Sequence, residues 1–162
     1  MPTSSRTDAV AHRALVQLAG RWLKRRGCHV VLTERGDRGA EQPDAIGWLR
    51  RPSLHSILVE CKVSRADFRR DERKVWRHGG RAMGSERWYF APAGMIPLAE
   101  LPAGWGLLEW TGRVMRCARV AGPSLTARSL LSELGVLVGE LNAYQAQGLM
   151  YRKGVERWGP TR

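Results

Sequence analysis

The chain is short of the residues that build cross-linked or metal-clustered folds. Three cysteines, Cys28, Cys61 and Cys117, stand far apart in 162 residues without a Cys-x-x-Cys pair, a set that supplies neither a disulfide framework nor a zinc ribbon. They read as buried thiols in a reducing compartment. The four histidines, His12, His29, His55 and His78, are equally scattered, which argues against a His/Cys metal cluster. No apolar run approaches the roughly 18 residues that suggest a bilayer span, and the opening MPTSSRTDAVAHRALV has no charged start followed by an apolar stretch. The expectation is a soluble, cytoplasmic protein with no membrane association. Internal repeats and low-complexity tracts are also missing. Acids are scarce as well, 15 Asp plus Glu against 27 Lys plus Arg, for a formal charge of +12. Such an excess favours polyanions through counterion release and steering, so nucleic acid is the leading partner class, with a solvated basic surface as the plainer alternative.

What is present fits one α/β domain. The length suits a single core, with residues 1–148 expected as the domain and 149–162 as a basic tail. Val10, Ala14, Leu15, Leu18, Trp22 and Leu23 fall at helical spacing and predict a helix over residues 8–26, capped by Ser5 or Thr7 and ended at Gly27. CHVVLTE reads as a strand. PDAIGWL and HSILVECK read as a hairpin whose turn is marked by Pro52. VSRADFRRDERKVW opens with Ser64 and Asp67 in capping-box relation and predicts a helix. ERWYFA is a further strand, MIPLAELPAG holds at most one helical turn, and WGLLEW with RVMRCARV forms a second hairpin. Leu130, Leu131, Leu134, Leu137, Val138, Leu141 and Tyr144 predict a packing helix within residues 124–147. Gly135 and Gly139 weaken its interior by about 1 kcal/mol each, and their spacing admits close approach of a second copy as the lesser reading. The order describes a mixed central sheet flanked by helices.

The chemistry concentrates in the first hairpin. Alternate strand residues share a face, so Glu60 and Lys62 project together while Cys61 points the other way. Antiparallel pairing about Pro52 sets Asp44 across from Glu60. Opposed carboxylates repel unless a cation or proton intervenes. A divalent ion resolves the conflict, since hard carboxylate oxygens suit magnesium or manganese. Lys62 beside it would stabilise charge developing on a phosphodiester or orient the attacking water. The competing reading is a surface ion pair of Lys62 with Glu60 or Asp44.

Pro43-Asp44, followed after a hairpin-length gap by Glu60-Cys61-Lys62, resembles the PD-(D/E)XK nuclease signature. The continuation VECKVSRADFRRDERKVWR, then ERWYFA and IPLAELPAGWGLLEW, resembles the MmcB-like family of DNA-repair proteins and related phage proteins. The resemblance covers most of residues 8–110 and implies a restriction-endonuclease-like αβββαβ core, here followed by a C-terminal hairpin and helix, in a bacterial or phage-encoded protein. It implies Asp44 and Glu60 as metal ligands with the Cys61 main-chain carbonyl completing the shell, Lys62 as catalytic, and Asp8 or Glu34 as the candidates for an additional acid. The sequence has AEQP before the aspartate where many such proteins carry a basic run.

After Lys62, Arg65, Arg69 and Arg73 share one helical face, with Arg70, Lys74 and Arg77 nearby and Asp67, Asp71 and Glu72 interleaved. The stripe suits phosphate tracking, and the alternative is pairing with acids one turn away. Trp76, Trp88 and Tyr89 are candidates for base stacking, with the core the favoured place for Trp88. The sequence therefore leads to a magnesium- or manganese-dependent DNA endonuclease acting in repair or on branched, damaged or single-stranded DNA. A non-catalytic DNA-binding or scaffolding module is the alternative. RNA suits the same chemistry, and a homodimer is compatible with it.

Overall fold

The computed structural model describes residues 3–34, 41–50, 52–71, 82–124 and 128–147. Helix α1 (Thr3–Arg25) starts earlier than residue 8, so Ser5 and Thr7 lie within its span and not at its start. Its buried face is Leu15, Val16, Ala19 and Leu23. It stops where expected: Gly27 takes φ 91°, and the N–H groups of Gly27 and Cys28 close onto the carbonyls of Lys24 and Leu23 at 3.0 and 3.1 Å. Only a residue without Cβ enters that left-handed turn at low cost.

Six strands follow: β1 (Val30–Thr33), β2 (Ala45–Arg50), β3 (Leu54–Cys61), β4 (Glu86–Pro92), β5 (Gly106–Trp110) and β6 (Met115–Arg119), with α2 (Arg65–Asp71) between β3 and β4 and α3 (Leu130–Ala146) last. They form one sheet in the order β1-β2-β3-β4-β5-β6. The pairs β1/β2, β2/β3 and β5/β6 are antiparallel, while β3/β4 and β4/β5 are parallel. The chain is thus an α/β protein with a mixed sheet flanked by helices. The register expected for the first hairpin is the observed one: Ala45 lies opposite Val59 and Arg50 opposite Leu54, around the turn that holds Pro52.

Both faces of the sheet are covered, which is why β3 and β4 read as nearly continuous apolar runs. Under α1, Val59, Cys61, Trp88 and Phe90 pack with Leu15, Ala19 and Leu23. Gly47 is needed there, because a Cβ on it would stand 2.7 Å from the Cys28 sulfur. On the other face Leu58, Tyr89 and Leu107 pack against Phe68 of α2, Val136 of α3, and Ile96, Leu101 and Trp105 from the β4–β5 connection, which contains a single 3-10 turn at Leu98–Glu100. Trp88 and Tyr89 are core residues, 2 % and 0 % exposed.

Two expectations need correction. Cys117 is exposed, although Cys28 and Cys61 are buried. Helix α3 begins at Leu130 behind its cap Ser129, and it turns a different face inward from the one expected. The reason is Glu133, whose carboxylate accepts from Trp48 Nε1, Ser56 Oγ, the Gly84 N–H and Arg128. Anchoring Glu133 buries Val136 one turn on, and Leu130, Leu131, Leu134, Val138, Leu141 and Tyr144 are left exposed.

Candidate active site

Strand alternation sends Glu60 and Lys62 to the α2 side of the sheet, where Glu60 stands in register with Tyr89 of β4. The Lys62 N–H donates to the Phe90 carbonyl at 2.9 Å, prolonging the ladder one residue past β3 and fixing the lysine. Helix α2 then starts on Ser64, whose Oγ accepts the Asp67 N–H at 3.2 Å. Phe68 docks edge-on against Tyr89 at 5.0 Å between ring centroids. One turn later Asp71 comes inward on the same face. The Lys62 ammonium donates to Glu60 Oε2 at 3.2 Å and to Asp71 Oδ1 at 3.1 Å, and Tyr89 donates to Asp71 Oδ2 at 2.8 Å.

Glu60, Lys62, Asp71 and Tyr89 are all buried, so this is an interior network and not a surface ion pair. Burial works against the Lys62 ammonium, but Glu60, then Asp71 and Asp44, outweigh it and hold its pKa well above the usual lysine range. Paired with two carboxylates, Lys62 is held in its charged form, the form that stabilises negative charge.

Asp44 sits immediately before β2. Its Oδ2 accepts the Cys61 N–H at 2.7 Å, and its Oδ1 lies 3.2 Å from His12 Nε2. Its carbonyl accepts the Glu34 N–H at 2.8 Å, which ties the end of β1 to the same place. The Asp44 hydrogen bond raises the His12 pKa, against the effect of partial burial. Lys62 and Asp67 also act on His12, so the α1 and α2 sides of this sheet end lie within electrostatic reach of one another. The Cys61 thiol is pushed well up by burial and by Asp44 and Glu60, which leaves it inert.

The three motif residues thus gather at one end of β2 and β3, with Lys62 paired to Glu60 and Asp44 bound to the main chain between those two residues. Of the further acids considered, Asp8 is exposed on α1 one turn before His12, whereas Glu34 lies close enough to act on Cys61. Among the arginines, Arg65 is committed to Glu100 at 2.6 and 2.7 Å and to the Met95 carbonyl. Arg69 is exposed, and Arg70 is exposed and 3.7 Å from Asp67. Arg73, Lys74, Arg77, Trp76 and the tail lie outside the described residues.

His12 and Asp71 were not singled out as site residues, yet both carry a readable signal. His12 continues the buried face of α1 one turn before Leu15 and Val16, and Asp71 lies three residues after Phe68. A second buried pair was not anticipated: Arg87 binds Glu41, which also accepts the Met83 N–H at 2.7 Å, and Arg87 lies over Trp105 at 4.5 Å.

Two carboxylates and a main-chain carbonyl are oxygen donors of the kind that suits a hard divalent cation. Among the described residues, however, no group of three or more His, Cys, Asp or Glu side chains is gathered tightly enough to hold a metal ion. Each acid is instead held by protein donors. No described helix is long and apolar enough to cross a membrane.

No protein-family model matches the sequence, and no curated protein matches it. Among solved structures the chain is similar to the SPO1766 protein of unknown function from Silicibacter pomeroyi, with 25 % identity and a TM-score of 0.60 over 83 % of this chain and 88 % of that one. That likeness covers most of both chains and supports the α/β architecture.

Proposed function

We propose that this chain is a divalent-metal-dependent DNA endonuclease with a restriction-endonuclease-like core, similar to the MmcB-like family. One observation carries the reading. The β2–β3 register brings the three motif residues to one sheet end, where Asp44 Oδ2 sits 2.7 Å from the Cys61 nitrogen and Lys62 Nζ 3.2 Å from Glu60 Oε2. Asp44, Glu60 and the Cys61 carbonyl would hold magnesium or manganese. When bound, the ion supplies a polarised phosphoryl oxygen and a water of lowered pKa.

The chain's own residues do the rest. Lys62 compensates charge that develops on the phosphate oxygens, and Asp71, itself held by Tyr89, fixes its position. His12 and the Cys61 N–H orient Asp44, each through one of its carboxylate oxygens. Exposed Arg69 and Arg70 are placed one to two turns along α2 to meet the flanking backbone. The test is a panel of plasmid, linear, single-stranded, flap, junction and RNA substrates with magnesium, manganese or chelator, and metal-dependent cleavage of DNA is the expected result.

A second reading has its own support. Lys62 and His12 already compensate Glu60, Asp71 and Asp44, an arrangement that also suits a non-catalytic DNA-binding or scaffolding module. Unchanged DNA affinity with no manganese binding by calorimetry at millimolar metal would select that reading over the nuclease.

A further inference from the structure

Helix α3 carries apolar residues on more than the side that meets the sheet. Its inner face, Glu133 and Val136, meets the sheet, while the opposite face is open. On that open face Leu131, Leu134, Val138 and Leu141 are 83, 57, 45 and 51 % exposed, with Leu130 and Tyr144 along one flank. The steps between the first four are three, four and three residues, the spacing of a seam that receives another helix. Isolated exposed leucines are ordinary, but a continuous apolar stripe on one element is a docking surface.

We propose that this stripe is a homodimer interface, in which α3 of one protomer pairs with α3 of its partner about a two-fold axis. Area and charge both favour a second copy as the occupant. The six exposed residues offer at most roughly 600 Å² per chain, so pairing would bury up to about 1,200 Å², which reaches the lower bound of stable specific interfaces. Two chains of charge +12 repel each other over most of their surfaces. Among the described α-helices only α3 has no lysine or arginine, so the approach is least opposed there. An isologous contact needs one patch complementary to itself, and a 3-4-3 seam of leucine and valine meets that condition. The inference is independent of the nuclease reading.

The test is sedimentation equilibrium of the full chain from about 1 to 100 μM, in enough salt to strip nucleic acid, alongside Leu134→Glu/Leu141→Glu and, as a milder variant, Leu131→Lys. The wild type is expected to be a dimer. The double variant, which places charge in the buried seam, is expected to raise the dissociation constant at least ~100-fold with an unchanged circular-dichroism spectrum. Leu131→Lys, at the most exposed position, should weaken pairing without touching the core. A wild type that stays monomeric at 100 μM overturns the proposal, whether residues 148–162 of the same chain or a different protein covers the stripe. Dimerisation undiminished in the folded variants overturns it too.

Discussion

The Lys62 ammonium lies 3.1 Å from the Asp71 carboxylate, with both side chains buried. The lysine of the β3 motif is thereby locked to α2 as well as to Glu60, so the proposed chemistry and the packing of α2 share one network. Removing one partner leaves a buried charge uncompensated, which costs far more than the pair itself contributes.

Asp71→Ala is therefore expected to destabilise the protein by about 3 to 5 kcal/mol, read as a lower urea midpoint and a melting temperature reduced by roughly 10 °C. Asp71→Asn, which keeps an acceptor for Tyr89, should lose less. A loss under about 1 kcal/mol for Asp71→Ala would mean that Lys62 does not depend on it.

The same reasoning applies to Glu41 and Arg87, both fully interior. Glu41→Leu alone should cost about 3 to 5 kcal/mol, whereas Glu41→Leu/Arg87→Met should recover much of it, because no charge is then stranded. A double-mutant cycle by chemical denaturation measures the coupling.

Glu133 gives a pH dependence. Burial pushes its pKa up, but Arg128 and the donors Gly84, Trp48 and Ser56 outweigh burial and hold it below the usual carboxylate value. A depressed folded pKa means that its contribution is complete above the unfolded value of about 4.3 and is lost as pH falls through the folded one. The wild type should lose stability steeply on acidification below about pH 4.5. Glu133→Gln should be less stable at pH 7 and should lose less on the same acidification. Parallel pH profiles for the two proteins would contradict this role.

The legible parts of the fold are those decided by local chemistry. Pro52 set the hairpin turn and hence the register of Ala45 with Val59, Gly27 ended α1, and Ser64 opened α2. What stayed hidden was decided by charges meeting across the chain. Helical periodicity on α3 located its apolar residues but not which of them face inward, because the orientation follows from Glu133 binding Trp48, Ser56 and Gly84, residues far away in sequence. Asp71 stands three residues after Phe68 on a charged helix, but its contacts with Lys62 and Tyr89 follow only from tertiary packing. His12 belongs to a helix that meets Asp44 solely through tertiary packing.

Arg69 tests the nucleic-acid surface. As an exposed cation on α2, Arg69→Ala should weaken binding about equally for all sequences and reduce the slope of log affinity against log salt by about one. Arg65→Ala should act first on the packing of α2 against the β4–β5 connection, because Arg65 is spent on Glu100 and Met95. Filter binding across a salt series separates the two.

The most direct measurement is metal-dependent cleavage by the wild type and by Asp44→Asn, a substitution that keeps an oxygen for the Cys61 N–H and removes the charge. With matched thermal melts, the wild type should cut DNA in magnesium or manganese and stop in chelator, and Asp44→Asn should lose at least ~100-fold in rate. A wild type that cuts nothing in either metal, or an Asp44→Asn variant that cuts as well as the wild type, would contradict the assignment of this sheet end as a nuclease site.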